Sequence, residues 1–156
     1  MNLNESLFIR KNSYEDIIFL SKINPIESGG IIFGSDRVVE EYYFDQCGSS
    51  SFPLSKYSLS LSFFDHACKS SKFSFLGIVH THPSGLNLPS GSLPDRNMSG
   101  ETDIKAMEKL LEISQLPNLY LIVLTDIPGS NFQFNTFLFN RSNPKKFKEY
   151  QISVVP

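Results

Sequence analysis

Short apolar segments with the pattern of β-strands follow one another near both ends of the chain. The clearest of them are residues 29–34, 37–44, 118–125, 132–140 and 149–155. Consecutive strands of this kind pair as antiparallel neighbours, whereas a doubly wound parallel sheet places a helix between successive strands. The order therefore predicts an α+β domain with a mostly antiparallel mixed sheet, flanked by two or three helices.

Two of the predicted helices have clear boundaries. The first begins near Ser13 and ends before Pro25, which cannot continue a helix. The last has Ser99 as a candidate N-cap and carries Glu101 and Asp103 in its first turn, where negative charge suits the helix dipole. Its apolar stripe is Ile104, Met107, Leu110 and Leu111.

Length and charge limit the kind of protein. The chain has 156 residues and a formal net charge of −2, which predicts one domain over 1–156 and gives no basic surface for nucleic acid. No apolar run is long enough to span a membrane, and the N-terminal residues lack the pattern of a signal peptide. Cys47 and Cys68 form no CxxC pair. We expect a soluble, cytoplasmic protein that binds neither nucleic acid nor membranes.

Two of the three histidines lie one residue apart in His80-Thr81-His82-Pro83, at the end of the apolar strand 73–80. Side chains at positions i and i+2 of a strand face the same side, so both imidazoles can point at one ion. Zinc in a hydrolase takes three protein ligands and leaves a position open for water. The next segment, 83–100, is a long Gly/Pro/Ser/Asn-rich loop of a kind that is often functional. We predict a metal site whose third ligand is a carboxylate from beyond this loop.

Three segments together resemble the JAMM/MPN metalloproteases, particularly their short prokaryotic JAB members. They are ESGGIIFG from Glu27 to Gly34, LGIVHTHPSG from Leu76 to Gly85, and SGETDI from Ser99 to Ile104. The resemblance covers about residues 5 to 140. It implies a single MPN/JAB-like domain that binds one Zn²⁺ per chain.

Carried over by position, the resemblance implies a role for each site residue. His80, His82 and Asp103 would bind the zinc ion. Glu27 would act as general base and acid, taking a proton from the attacking water and delivering it to the leaving amine. Ser99 would stabilise the oxyanion of the tetrahedral intermediate by hydrogen bonding.

The spacing of these residues departs from the family pattern. Asp103 lies 21 residues after His82, and Ser99 lies four before Asp103; both spacings are longer than usual. Asp95 lies closer to His82 but falls inside the loop, so Asp103 is preferred because a helix follows it directly. Ser90 keeps the usual distance from His82 and is the alternative to Ser99 for the oxyanion.

For this family the resemblance implies hydrolysis of an isopeptide or peptide bond after the C-terminal tail of a ubiquitin-like protein. Partners would then include activating or conjugating enzymes of a bacterial conjugation-like pathway, including those of antiphage defence. Alternatives on the same fold are release of sulfur carriers or amino acids, and peptide cleavage in phage tail assembly. A metal-free MPN scaffold is a further alternative, against which the presence of Glu27, His80, His82 and an Asp argues.

Residues outside these motifs receive simpler interpretations. His66 is expected on the surface of a short helix over 63–69 rather than as a fourth ligand. Cys47 and Cys68 have no recognisable histidine partner pattern, which argues against a thiol protease.

Overall fold

The structure, a computed structural model, describes residues 3–23, 28–45, 61–82, 89, 103–127 and 132–156. Several predicted features lie outside these ranges: Glu27, Cys47, Ser90, Asp95, Ser99 and the loop 83–100 apart from Pro89. The alternation of residues 57–61 also predicts a strand, and residues 57–60 of it lie outside these ranges as well. Among the helices within the ranges, none combines the length and apolar character that a membrane span requires.

The described residues form three α-helices, seven strands and a short 3₁₀ helix at Leu3–Glu5. The helices are α1 (Lys11–Ile23), α2 (Leu61–Ser70) and α3 (Asp103–Ser114). The strands are β1 (Ser6–Arg10), β2 (Gly29–Ser35), β3 (Val38–Phe44), β4 (Ser74–Thr81), β5 (Asn118–Thr125), β6 (Gln133–Asn140) and β7 (Lys148–Val155). The strand segments predicted within the described residues each coincide with one of these strands, except that Leu61, predicted to end a strand, begins α2.

All seven strands belong to one sheet in the order β1-β3-β2-β4-β5-β6-β7, and β7 pairs with β1 to close a barrel. The pairs β1–β3, β1–β7 and β4–β5 are parallel, and the other pairs are antiparallel. The predicted α+β class with a mixed, mostly antiparallel sheet is therefore confirmed. Closure was not predicted, because it joins distant segments such as Leu7 and Ile152.

The two faces of the sheet carry different apolar clusters. One cluster receives side chains from all seven strands and from Ile17 of α1, so it fills the interior of the barrel. The other lies outside, where α3 covers β4, β5 and β6. Met107, Leu110 and Leu111 of α3 are buried in this outer cluster, which confirms the inward face predicted for the helix.

The backbone of β5 lies close to Gly77 in β4. A Cβ atom added there would lie 1.9 Å from the carbonyl oxygen of Tyr120, and backbone atoms cannot yield as a flexible side chain would. Gly77 pairs with both Ile32 and Tyr120, so it stands between two paired strands. Only glycine fits this position without displacing the strand that ends in the two histidines.

We predict that Gly77→Ala lowers the free energy of unfolding by about 3 kcal/mol or more, because the added methyl group overpacks the β4–β5 contact. Urea denaturation measures the change. Ser74→Ala, at an exposed position of the same strand, is the matched control and should change stability by less than about 0.5 kcal/mol. Equal, small effects of the two substitutions would contradict the steric account.

Candidate metal centre

The end of β4 presents two histidines on one face of the sheet. His80 pairs with Gly29 in β2 and with Val123 in β5, and the amide of His82 donates to the carbonyl of Leu124 at 2.8 Å. The strand geometry thus continues past Thr81 and keeps both imidazoles on the side covered by α3. Their side chains are only 2% and 8% exposed. Water is therefore largely excluded from around them.

Asp103, the first residue of α3, places its carboxylate between the two imidazoles. Oδ1 lies 3.0 Å from Nε2 of His80, and Oδ2 lies 3.1 Å from Nε2 of His82. The two rings are nearly perpendicular, at 87°, with centroids 4.5 Å apart. Each carboxylate oxygen thus faces a different ring, although 21 residues separate His82 from Asp103 in sequence.

The donor set and its spacing fit a divalent metal ion such as zinc. Two imidazole nitrogens and one carboxylate oxygen are ligands of a kind found in catalytic zinc sites. Zinc bonds of about 2.0–2.2 Å in a tetrahedral site separate neighbouring ligand atoms by roughly 3.3 Å. The Nε2–Oδ distances are close to this value, and one ligand atom from each residue lies within 4.8 Å of the others. The three residues can therefore each offer one ligand atom to a single ion.

Packing of α3 explains why the carboxylate reaches this position. Met107, Leu110 and Leu111 bury against Ile78 of β4 and its neighbours, which orients the helix across the outer face of the sheet. Ile78 and His80 lie on the same face of β4, two residues apart. The first turn of the helix therefore comes to lie over the histidines.

Of the five predicted site residues, the described structure brings together His80, His82 and Asp103. Glu27 and Ser99, together with the alternatives Ser90 and Asp95, lie outside the described residues. Ser28, which directly follows Glu27, is described and is 1% exposed. Its backbone is hydrogen-bonded to Thr81, the residue between the histidines. The roles assigned to Glu27 and Ser99 stay predictions.

Asp45, directly after β3, is a fully buried residue that the sequence patterns did not indicate. Its amide donates to the carbonyl of Gly29 at 2.9 Å, and Gly29 pairs with His80. The residue therefore lies in the same row of the sheet as His80, two strands away. Burial, with the charge of Asp45 as a further cause, raises the pKa of the Tyr42 hydroxyl. The available signal was an acidic residue placed directly after the apolar sequence YYF.

The residues interpreted as non-catalytic agree with that interpretation where they are described. His66 is exposed on α2, as predicted. Cys68 forms no disulfide, and partial burial, with Asp65 nearby, raises the pKa of its thiol. A thiol with a raised pKa carries less of the reactive thiolate at neutral pH. This finding supports the argument against a thiol protease.

Solved structures are similar to the chain over almost its whole length. A Desulfitobacterium hafniense protein solved in solution has 18% identity and a TM-score of 0.58, with 95% of this chain and 92% of that chain covered. A JAB1/MPN domain protein from Archaeoglobus fulgidus has 18% identity and a TM-score of 0.51, with 95% and 98% covered. A structure described as JAMM, a metalloprotease-like zinc site in the proteasome and signalosome, also has 18% identity and a TM-score of 0.51, with 96% and 98% covered.

No protein-family model matches the chain, and no curated protein matches it significantly. The similarity therefore concerns the fold, at an identity too low to carry more. Within that limit it agrees with the motifs at Glu27–Gly34, Leu76–Gly85 and Ser99–Ile104. The chain has the fold of the JAB1/MPN domain proteins, the fold that also carries the JAMM zinc site.

Proposed function

We propose that this protein is a zinc-dependent peptidase that cleaves the peptide or isopeptide bond after the C-terminal tail of a ubiquitin-like protein. The observation that carries the proposal is the contact of Asp103 with both His80 and His82 in a nearly water-free position. A fold shared with a metalloprotease-like zinc site supports it. The three residues are buried, and a long loop lies between His82 and Asp103 in the sequence. A catalytic site is expected at such a cluster.

Zinc bound at this cluster would polarise the scissile carbonyl and lower the pKa of a water molecule toward about 7. His80 and His82 would hold the ion through their ring nitrogens, and the β4 ladder keeps both residues in place. Asp103 supplies a negative charge and is held by the packing of α3. Glu27 would move the proton from the attacking water to the leaving amine, and Ser99 would donate a hydrogen bond to the oxyanion.

A ubiquitin-like tail suits the strand edges near this site. An extended tail binds by main-chain pairing, which needs no large charged surface and agrees with the net charge of −2. Pairing of β3 with β1 involves only Val38 and Val39, so the edge from Glu41 to Phe44 has no strand partner on that side among the described residues. Phe44 pairs with Gly30, one residue from the partner of His80. A tail added to this edge would lie beside β3, with β2 between β3 and the strand that carries His80.

The biological setting that we propose follows from the same substrate class. A short member of this fold would act beside activating or conjugating enzymes of a bacterial conjugation-like pathway, including one of antiphage defence. An enzyme that processes sulfur carriers, or peptides of a phage tail, would use the same site on a different substrate. The three settings differ in substrate and not in mechanism, so cleavage assays with candidate substrates distinguish them.

We predict that the wild-type protein, purified without chelator, contains about one zinc ion per chain and that Asp103→Ala removes it, since two histidines alone leave the site a ligand short. Plasma emission analysis of metal content measures this. Asp95→Ala is the matched control and should keep the zinc. The reverse pattern would assign the third ligand to Asp95, and wild-type protein without stoichiometric zinc would favour a metal-free scaffold.

We predict that Glu27→Ala lowers kcat/KM at least about 100-fold while zinc stays bound, because proton transfer is lost and the ligands are unchanged. The assay follows cleavage of a fusion between a ubiquitin-like protein and a fluorescent reporter. Glu15→Ala, at an exposed position of α1, is the control and should cleave like the wild type. Unchanged cleavage by Glu27→Ala would rule out the proposed mechanism.

A further inference from the structure

Thr81, between the two histidines, makes a set of buried hydrogen bonds to Ser28, the residue directly before β2. Its hydroxyl oxygen accepts from the amide of Ser28 at 2.9 Å and lies 3.4 Å from the carbonyl oxygen of Ser28, to which it donates. Its own amide donates to the same carbonyl at 2.9 Å. Thr81 and Ser28 are 6% and 1% exposed. Both polar groups of the Ser28 backbone are therefore bound to one residue.

One of these bonds depends on the side chain. In a regular antiparallel ladder, a hydrogen-bonded pair of residues exchanges two main-chain bonds. Here the Ser28 amide is bonded to the Thr81 hydroxyl, so the side chain supplies the acceptor at the end of the β2–β4 pairing. Valine or alanine at position 81 would leave the buried N–H group of Ser28 without this acceptor. A buried donor without an acceptor lowers the stability of the folded state.

Ser28 shares its peptide bond with Glu27, and the amide that Thr81 binds belongs to that bond. We propose that Thr81 is a positioning residue that fixes the backbone of Ser28, the residue directly after Glu27, relative to the two histidines. The inference rests on the proposed function, in which Glu27 transfers the proton. Thr81 touches neither the metal nor the substrate in this scheme, and it acts on the reaction only through the backbone next to Glu27.

The histidines do not need the Thr81 hydroxyl for their own placement. His80 lies within the ladder between Gly29 and Val123, and the amide of His82 is held by the carbonyl of Leu124. The hydroxyl of Thr81 lies on the opposite face of β4 from the imidazoles, as alternation along a strand requires. Removal of the hydroxyl should therefore weaken the hold on Ser28 and leave the three ligands in place.

The first test reads the hydrogen bond directly and does not require activity. Amide hydrogen exchange of Ser28, followed by NMR on the zinc-loaded protein, should be slow in the wild type and in Thr81→Ser. In the near-isosteric Thr81→Val it should be roughly tenfold faster or more, since a hydrogen bond to a buried group is lost. An unchanged rate in Thr81→Val overturns the inference. Thermal unfolding shows whether each variant is folded before it is compared.

The second test separates positioning of Glu27 from a general structural effect. Thr81→Val should lower kcat about 10- to 100-fold, leave KM unchanged and keep one zinc per chain, whereas Thr81→Ser should restore kcat. In a Glu27→Ala background, Thr81→Val should cause no further loss, because the residue through which it acts is already gone.

These outcomes separate the inference from the proposed function. Loss of zinc from Thr81→Val, or an undiminished effect of this substitution in the Glu27→Ala background, would overturn the positioning role. If the wild type cleaves no tail fusion, or if Glu27→Ala cleaves normally, the proposed function fails. The exchange rate of the Ser28 amide would even then show whether Thr81 holds this peptide.

Discussion

The packing of α3 against the outer face of the sheet is the contact on which the candidate site depends. Each buried leucine or methionine contributes on the order of 1.5–3 kcal/mol, so Met107, Leu110 and Leu111 hold the helix without help from a metal. Asp103 is carried to the imidazoles by this apolar contact. A carboxylate and two imidazoles in a poorly solvated position interact more strongly than they would in water. The burial of apolar side chains of α3 therefore places the carboxylate of Asp103 beside the two imidazoles.

Neighbouring residues at the end of β4 face opposite sides of the strand and contact different partners. His80 and His82 face α3 and meet Asp103, whereas Thr81 faces the other side and binds the start of β2. Three consecutive residues thus connect β4 to two different elements, because side chains alternate along a strand. Because the histidines are two positions apart, one residue lies between them and faces the opposite side of the strand. In the sequence that residue is a threonine, which can accept and donate a hydrogen bond.

Local patterns were enough to predict most of the elements and part of the site. Short-range periodicity predicted the strands 118–125 and 149–155 and the inward face of α3. The structure has strands at these positions and buries the same face of the helix. The i, i+2 spacing of the histidines predicted a shared face, and the structure shows it. Closure between β1 and β7 could not be read in this way, because pairing of distant strands leaves no local pattern. The burial of Asp45 could not be predicted for the same reason, because strands distant in sequence bury it.

By itself, the sequence determined an α+β chain with two histidines on one strand face and an acidic helix start after a long insertion. It also limited the third ligand to Asp103 or Asp95, because spacing along a chain with an insertion does not fix a distance in space. Only the tertiary structure decided which described carboxylate meets both imidazoles, at 3.0 and 3.1 Å. It did so because the apolar side of α3 can be buried in one orientation on the sheet, and that orientation sets where the first residue of the helix lies.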